Sequence, residues 1–136
     1  MKLNKILITG SSGTIGTRLL ETLLKSGYDV TGVDKKPNKW NSKLTENTIL
    51  VDLRNRDDIF EKIPNDFDLV IHLAANARVY NLVVDPHLAR DNFETIFNIL
   101  EFTRKNNISK FMFASSREVY GNTEEFHHSE EHISVS

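Results

Sequence analysis

The segment "KILITGSSGTIGTRLLETLLKSG", residues 5–27, constrains the fold more than any other part of the chain. Its first five residues form a continuous apolar run rich in β-branched side chains, the composition of a strand covered on both faces. Glycines follow at positions 10, 13 and 16. Beyond them Ile15, Leu19, Leu20, Leu23 and Leu24 recur at helical spacing, and Gly27 stands where a C-terminal cap belongs. A strand that enters a helix through three glycines needs a physical reason for so much backbone freedom. Gly10 permits a tight turn, Gly13 lets backbone approach a pyrophosphate, and Gly16 lets helix and strand pack closely. The first helical N–H groups, including those of Thr14 and Ile15, then face the same anion, and the helix dipole favours it further.

A second strand, "DVTGVD" (29–34), ends in Asp34, eighteen residues past Gly16. A carboxylate at that place accepts hydrogen bonds from adenosine ribose hydroxyls and repels a 2′-phosphate, which predicts NAD rather than NADP. Lys35 and Lys36 beside it are cations able to shield such a phosphate. The remaining pattern alternates short apolar runs with longer amphipathic ones. Lys35 to Asn47 reads as a polar loop, "TILV" (48–51) as a third strand and "RDDIFEKI" (56–63) as a short helix closed by Pro64. "DLVIHLAA" (68–75) and "KFMFAS" (110–115) read as the fourth and fifth strands. Between them "LARDNFETIFNILEFTRKN" (88–106) reads as a long helix with Leu88, Phe93, Ile96, Phe97 and Leu100 facing inward. Strands separated by helices predict right-handed βαβ crossovers. The expected fold class is therefore α/β, a Rossmann-type doubly wound parallel sheet of about five strands, incomplete, ordered 3-2-1-4-5.

The 136 residues suffice for one domain with a single core. Net charge is −2, which gives no footprint for nucleic acid. The absence of cysteine excludes disulfides and thiolate metal sites and fits a reducing, cytoplasmic setting. The apolar run near the amino terminus is too brief for a signal sequence or a membrane span.

Taken together, the motifs resemble the extended short-chain dehydrogenase/reductases, in particular the NAD-dependent nucleotide-sugar epimerases and dehydratases. Gly10, Gly13 and Gly16 are spaced as in that family, and "VDL" supplies Asp52 and Leu53, similar to its aspartate–apolar pair beside the adenine. "HLAA" resembles the segment whose backbone passes the cofactor at Leu73, Ala74 and Ala75. "NFETIFNILE" carries Asn92 and Asn98 at the spacing of the corresponding helix, although Thr95 and Ile96 depart from it. "SSREVYG" resembles the catalytic strand end, with Ser116 four residues before Tyr120. The resemblance implies a cofactor set of Gly10, Gly13, Thr14, Ile15, Gly16, Asp34, Lys35, Asp52, Leu53, Leu73, Ala74, Ala75 and Asn92, with NAD as cofactor and a nucleotide sugar as substrate.

It also implies catalytic roles for Ser116, which would hydrogen-bond the reacting oxygen, and Glu118, which matches the glutamate of an acid pair in members that eliminate water. Arg117 occupies the partner position, so epimerase and decarboxylase readings stand and dehydratase is disfavoured. A surface glutamate paired with Arg117 or solvent is the plainer reading of Glu118. The family's Tyr-x-x-x-Lys base should fall near position 141, whereas the sequence given ends at Ser136. The tyrosines are 28, 80 and 120, and Gly32, Val84 and Glu124 stand four residues after them. General acid–base help is worth roughly two to four decades of rate, so the chain alone is expected to be close to inactive. The expected division is a cofactor domain over 1–121 and, over 122–136, a polar tail leading to a missing C-terminal part. A fifth strand without a sixth beside it leaves an apolar edge that invites a homodimer or other self-association. "HHSEEH" (127–132) matches no metal signature, so no metal is assigned. His72 reads as a core histidine bonded to backbone, and an alternative to the enzyme is a non-catalytic NAD-binding or interaction module.

Overall fold

The computed structural model describes residues 4–120. Its sheet has five strands, all parallel, in the order β3-β2-β1-β4-β5. They are β1 (Lys5–Thr9), β2 (Asp29–Asp34), β3 (Thr48–Leu50), β4 (Leu69–His72) and β5 (Lys110–Phe113). The helices are α1 (Thr14–Lys25), α2 (Arg56–Lys62), α3 (Val79–Val84) and α4 (Pro86–Lys105), with 3-10 turns at Ser42–Asn47 and Arg117–Tyr120. This is the doubly wound arrangement that the sequence pattern predicts.

Alternation along each strand divides the apolar side chains between the two faces of the sheet. Leu7, Val33 and Val70 meet Ile59, Ile99 and Phe102 from α2 and α4 on one face. Ile6, Ile8, Val30 and Leu69 meet Leu20 of α1 and Leu44 on the other. The third, fourth and fifth strands are shorter than their sequence runs. At the carboxyl edge the pairing continues through single bonds, Val51 N–H to Asp34 O (2.9 Å), Leu73 N–H to Thr9 O (3.1 Å) and Ala114 N–H to His72 O (3.2 Å). The chain then departs from the sheet, and these departures open a cleft where the strand order reverses.

Local chemistry sets the ends of the helices. α1 closes in a Schellman arrangement, Tyr28 N–H to Leu23 O (3.1 Å) and Gly27 N–H to Leu24 O (3.1 Å), with Gly27 at φ +84°. Asn55 caps α2 by accepting from Asp58 N–H, and Asp85 caps α4 by accepting from His87 N–H ahead of Pro86.

Four expectations need correction. The segment 35–47 is not wholly a loop: Asn41 caps a 3-10 turn that buries Leu44. α3 has no counterpart in the sequence reading. On α1, Leu20 is buried but Ile15, in the first turn, is 73% exposed. On α4 the inward face is Asn98, Ile99, Phe102 and Thr103, whereas Phe93, Phe97 and Leu100 are exposed. That helix carries apolar residues on two faces, and the buried one also has amide hydrogen bonds to offer the loop after β3. Among the described residues no helix is long and apolar enough to cross a membrane.

Candidate functional site

The turn between β1 and α1 shows why each glycine is needed. Gly10 adopts φ +73°, and a Cβ on it would lie 2.8 Å from the backbone nitrogen of Ala74. The loop after β4 can therefore rest directly on the turn. A Cβ on Gly16 would lie 2.1 Å from Gly10 O, so α1 starts where it does only because residue 16 has no side chain. Gly13 is different: its added Cβ would meet only Gly10 O, at 3.3 Å, and it lines the cleft. It caps α1 without any side-chain hydrogen bond. The first N–H groups of a helix have no intrahelical partner, so those of Thr14, Ile15 and Gly16 are left for a ligand.

A residue that the sequence did not single out completes this turn. Gly32 in β2 gives room to the Ser11 side chain, whose Oγ would sit 2.5 Å from a Cβ there. The hydroxyls of Ser11 and Ser12 are buried with no hydrogen-bond partner among the described residues. Asn38 pins the following loop to α1, donating to Thr17 Oγ1 (2.8 Å) and accepting from Trp40 and Asn41 N–H (2.9 and 3.0 Å).

The cleft itself is a cavity of about 180 Å³ lined by Gly10, Gly13, Asp34, Asp52, Ala74 and Asn92 among others. Lys35, Leu53, Leu73 and Ala75 also line it, so most of the expected cofactor set converges on one space. Asp34 is fixed by Ser12 N–H to Oδ2 and Lys36 N–H to Oδ1, both 3.0 Å. Its carboxylate is thus oriented by backbone. Carboxylate oxygens carry about four acceptor positions between them, so ribose hydroxyls still find acceptors. Asp52 is held below the ordinary carboxylate range, chiefly by its hydrogen bond from Arg54, against the opposing effect of burial. Uncapped amides, an open cradle at Gly13 and two oriented carboxylates suit a dinucleotide whose pyrophosphate sits on α1 and whose adenosine extends toward β2 and β3.

Asn92 lies at this cleft in a role the sequence did not define. Its Oδ1 accepts from Asn76 N–H (2.7 Å) and its Nδ2 donates to Asn76 O (3.1 Å), so both ends of the amide are committed to the loop after β4. Asn98, one face-turn further along α4, donates to Leu53 O (2.9 Å) and Arg54 O (3.2 Å) and so holds the loop after β3. One helix therefore sets both rims. The pairing of Asn76 with Asn92 was beyond reach of the sequence, since sixteen residues and two helix starts separate them.

The catalytic candidates lie apart from this cleft. Ser116 and Glu118 follow β5 and line neither the dinucleotide cavity nor the apolar one of about 350 Å³ between α4 and β5. Ser116 Oγ accepts from Glu118 N–H at 3.2 Å, a cap on the 3-10 turn. His72 is buried, but its partner is not backbone as expected: Nδ1 lies 2.7 Å from Thr9 Oγ1. Burial pushes its pKa down to about 4. Phe111 and Phe113 stack beside the ring at 6.2 and 6.1 Å. The histidine-rich "HHSEEH" segment lies outside the described residues, among which no group of three metal-ligating side chains occurs.

A parallel sheet with this strand order, a glycine turn under a helix start and an acid at the end of β2 define a dinucleotide-binding Rossmann domain. The sequence profile of the NAD dependent epimerase/dehydratase family matches residues 6–135, and the chain belongs to that family. A UDP-glucose 4-epimerase of Pisum sativum is 38% identical over 136 aligned positions, which cover 88% of this chain and 39% of the relative. A UDP-N-acetyl-alpha-D-glucosaminuronate decarboxylase of Bacillus cytotoxicus is 37% identical over 86% of this chain and 38% of its own length. The crystal structure of a Bifidobacterium longum UDP-glucose 4-epimerase in complex with NAD+ and UDP superposes with a TM-score of 0.83 at 28% identity, over 97% of this chain and 43% of that one. The chain thus spans about two fifths of the length of these relatives. The family is NAD-dependent, so NAD is the cofactor.

Proposed function

We propose that these residues are the NAD-binding portion of a cytoplasmic nucleotide-sugar epimerase of the UDP-hexose 4-epimerase kind. The observation that carries the reading is the convergence of the glycine turn at Gly10 and Gly13, directly before the uncapped start of α1, with Asp34 and Asp52 on one cleft. Thr14, Ile15 and Gly16 would hold the pyrophosphate, Asp34 the ribose hydroxyls, and Asp52 with Leu53 the adenine. The chemistry such a dinucleotide supplies is reversible hydride acceptance from a sugar carbon. Ser116 would hydrogen-bond the reacting sugar oxygen and hold its geometry, and Glu118 would stand beside it. No tyrosine of this sequence has a lysine four positions on, so the 136 residues alone bind the cofactor with little or no turnover. The unit comprises residues 1–121, with 122–136 leading toward the sugar-binding part. It self-associates through β5, which among the described residues pairs on one side only and exposes Met112 and Phe113.

A second reading has its own support. Ser116 spends an acceptor position on the Glu118 amide, as a purely structural cap does, which suits a non-catalytic NAD-binding module. The family relatives also leave a UDP-sugar decarboxylase reading open. Calorimetric titration with NAD, followed by an epimerase assay on UDP-glucose, separates these. Binding without turnover is the expected result. Turnover by the chain alone would show that another group supplies the base, and absence of NAD binding would remove the reading altogether.

A further inference from the structure

We propose that Arg54 is a positioning and specificity residue at the adenine end of the cleft, orienting the Asp52 carboxylate so that it accepts an exocyclic amine and rejects a ring carbonyl. The inference rests on the dinucleotide reading above. Arg54 stands two residues after Asp52 and wraps back onto it. Its Nε donates to Oδ1 at 3.0 Å and to Oδ2 at 3.2 Å, and its Nη2 donates to Oδ2 at 2.6 Å. Its backbone N–H adds a further bond to Oδ1 at 3.0 Å. On the other side Nη1 reaches Asp91 Oδ2 on α4 at 3.1 Å. All three side chains line the cavity that also contains Gly10 and Asp34.

Geometry decides what this group can do. A carboxylate on a short side chain rotates freely about its last torsion, which is broad for aspartate. Three Arg54 N–H donors, with Nε shared between both oxygens, fix the carboxylate plane and leave one of its about four acceptor positions, in a set direction. The loop bearing Asp52 is held to α4 at two places, through Asp91 to Arg54 and through Asn98 to the Leu53 and Arg54 carbonyls. The acceptor is therefore preorganised on a rigid element. The guanidinium charge also keeps Asp52 ionised, as its lowered pKa reflects. An ionised carboxylate only accepts, so it bonds the amine of adenine and repels the carbonyl that replaces it in hypoxanthine.

An arginine near the ribose could instead serve a 2′-phosphate. Here the fork is already committed to two carboxylates, Asp52 and Asp91, which carry two negative charges against its one. Lys35 adds a second cation and Asp34 a third carboxylate to the cavity lining, so by formal charge the lining stays net anionic and favours a neutral base with a donor over a phosphate.

The experiment is calorimetric titration of the whole 136-residue chain with NAD, nicotinamide hypoxanthine dinucleotide and NADP. The unaltered chain should prefer NAD over the hypoxanthine analogue by about tenfold, one charge-assisted hydrogen bond's worth. Arg54→Gln should bring that preference close to parity with an unchanged thermal midpoint. Arg54→Lys keeps the charge but not the fork and should fail to restore it, and Asp91→Asn should lower it in part. A proportional loss of both dinucleotides in Arg54→Gln, or an unaltered ratio, would overturn the assignment. So would selective loss of NADP binding, which would make Arg54 a phosphate group holder. If the unaltered chain binds none of the three, the cofactor reading fails and the proposal with it; NAD binding with an unaltered ratio in the variants removes only the role of Arg54.

Discussion

The two flanks of the sheet differ in how completely they are covered. Around β2, β1 and β4 both faces are packed, and Leu7, Ile8, Val33 and Val70 are fully buried. Around β5 and the outer face of α4, Met112, Phe113, Phe93, Phe97 and Leu100 are all exposed. Both flanks carry large apolar side chains, so their presence alone does not separate them. What separates them is the presence of a further layer. The glycine turn and Asp34 lie on the covered flank, where side chains at Gly10 and Gly16 would collide with backbone. Ser116 and Glu118 lie beyond β5 on the open one. On the proposed assignments, cofactor binding and substrate chemistry rest on parts of the molecule with different degrees of support.

Variants on α4 break or sharpen this contrast most directly. Ile99→Ala should lower the unfolding free energy by about 4 kcal/mol, because it opens a cavity among fully buried neighbours. Denaturant titration measures it, and a loss near zero would mean that the inner face is not the packed one. The next effect concerns His72, which borders both flanks. Its folded pKa is about 4, whereas an unfolded imidazole titrates near 6.5. Between these values the unfolded chain takes up more protons. Stability is therefore full above about pH 6.5 and declines as pH falls, by about 3 kcal/mol on reaching the folded pKa. Carboxylates held low by partners, such as Asp52 and Asp68, add their losses only below about pH 4. Unfolding curves across pH 4 to 7 should show the slope in the unaltered chain and a much flatter one in His72→Gln.

The smallest expected change in stability comes from Phe97→Ser, within about 0.5 kcal/mol, since that ring is already in water. If the same substitution, by sedimentation, also leaves any self-association unchanged while Met112→Lys reduces it, the association runs through β5. The reverse result would place it on α4.

How much of this was legible follows from what kind of interaction fixes each part. β1 and β2 were readable to the residue, because continuous β-branched runs have one good solution, a strand buried on both faces. The glycine turn was readable because much of its steric need is local: Gly10 takes a positive φ, and side chains at Gly13 and Gly16 would meet Gly10 O, although the contact of Gly10 with Ala74 is not local. The inward face of α4 was misread since its apolar residues encircle the helix, and burial was decided by Asn98 meeting carbonyls forty-odd residues earlier. Arg54, Asn76 and Asp91 were missed for the same reason. Each matters through a partner on another element, and no spacing in one chain encodes that.

The contrast between Gly13 and Gly16 separates two properties that a single motif joins. An alanine at 16 would collide with the turn itself, so its damage would be read first by the folding equilibrium. An alanine at 13, with φ −76° and only one carbonyl oxygen nearby at 3.3 Å, would add its methyl group at the lining of the cavity proposed to hold the diphosphate. One methyl group there would yield a polypeptide that folds normally and is blind to its nucleotide, a separation-of-function tool for asking what this protein does when no cofactor is aboard.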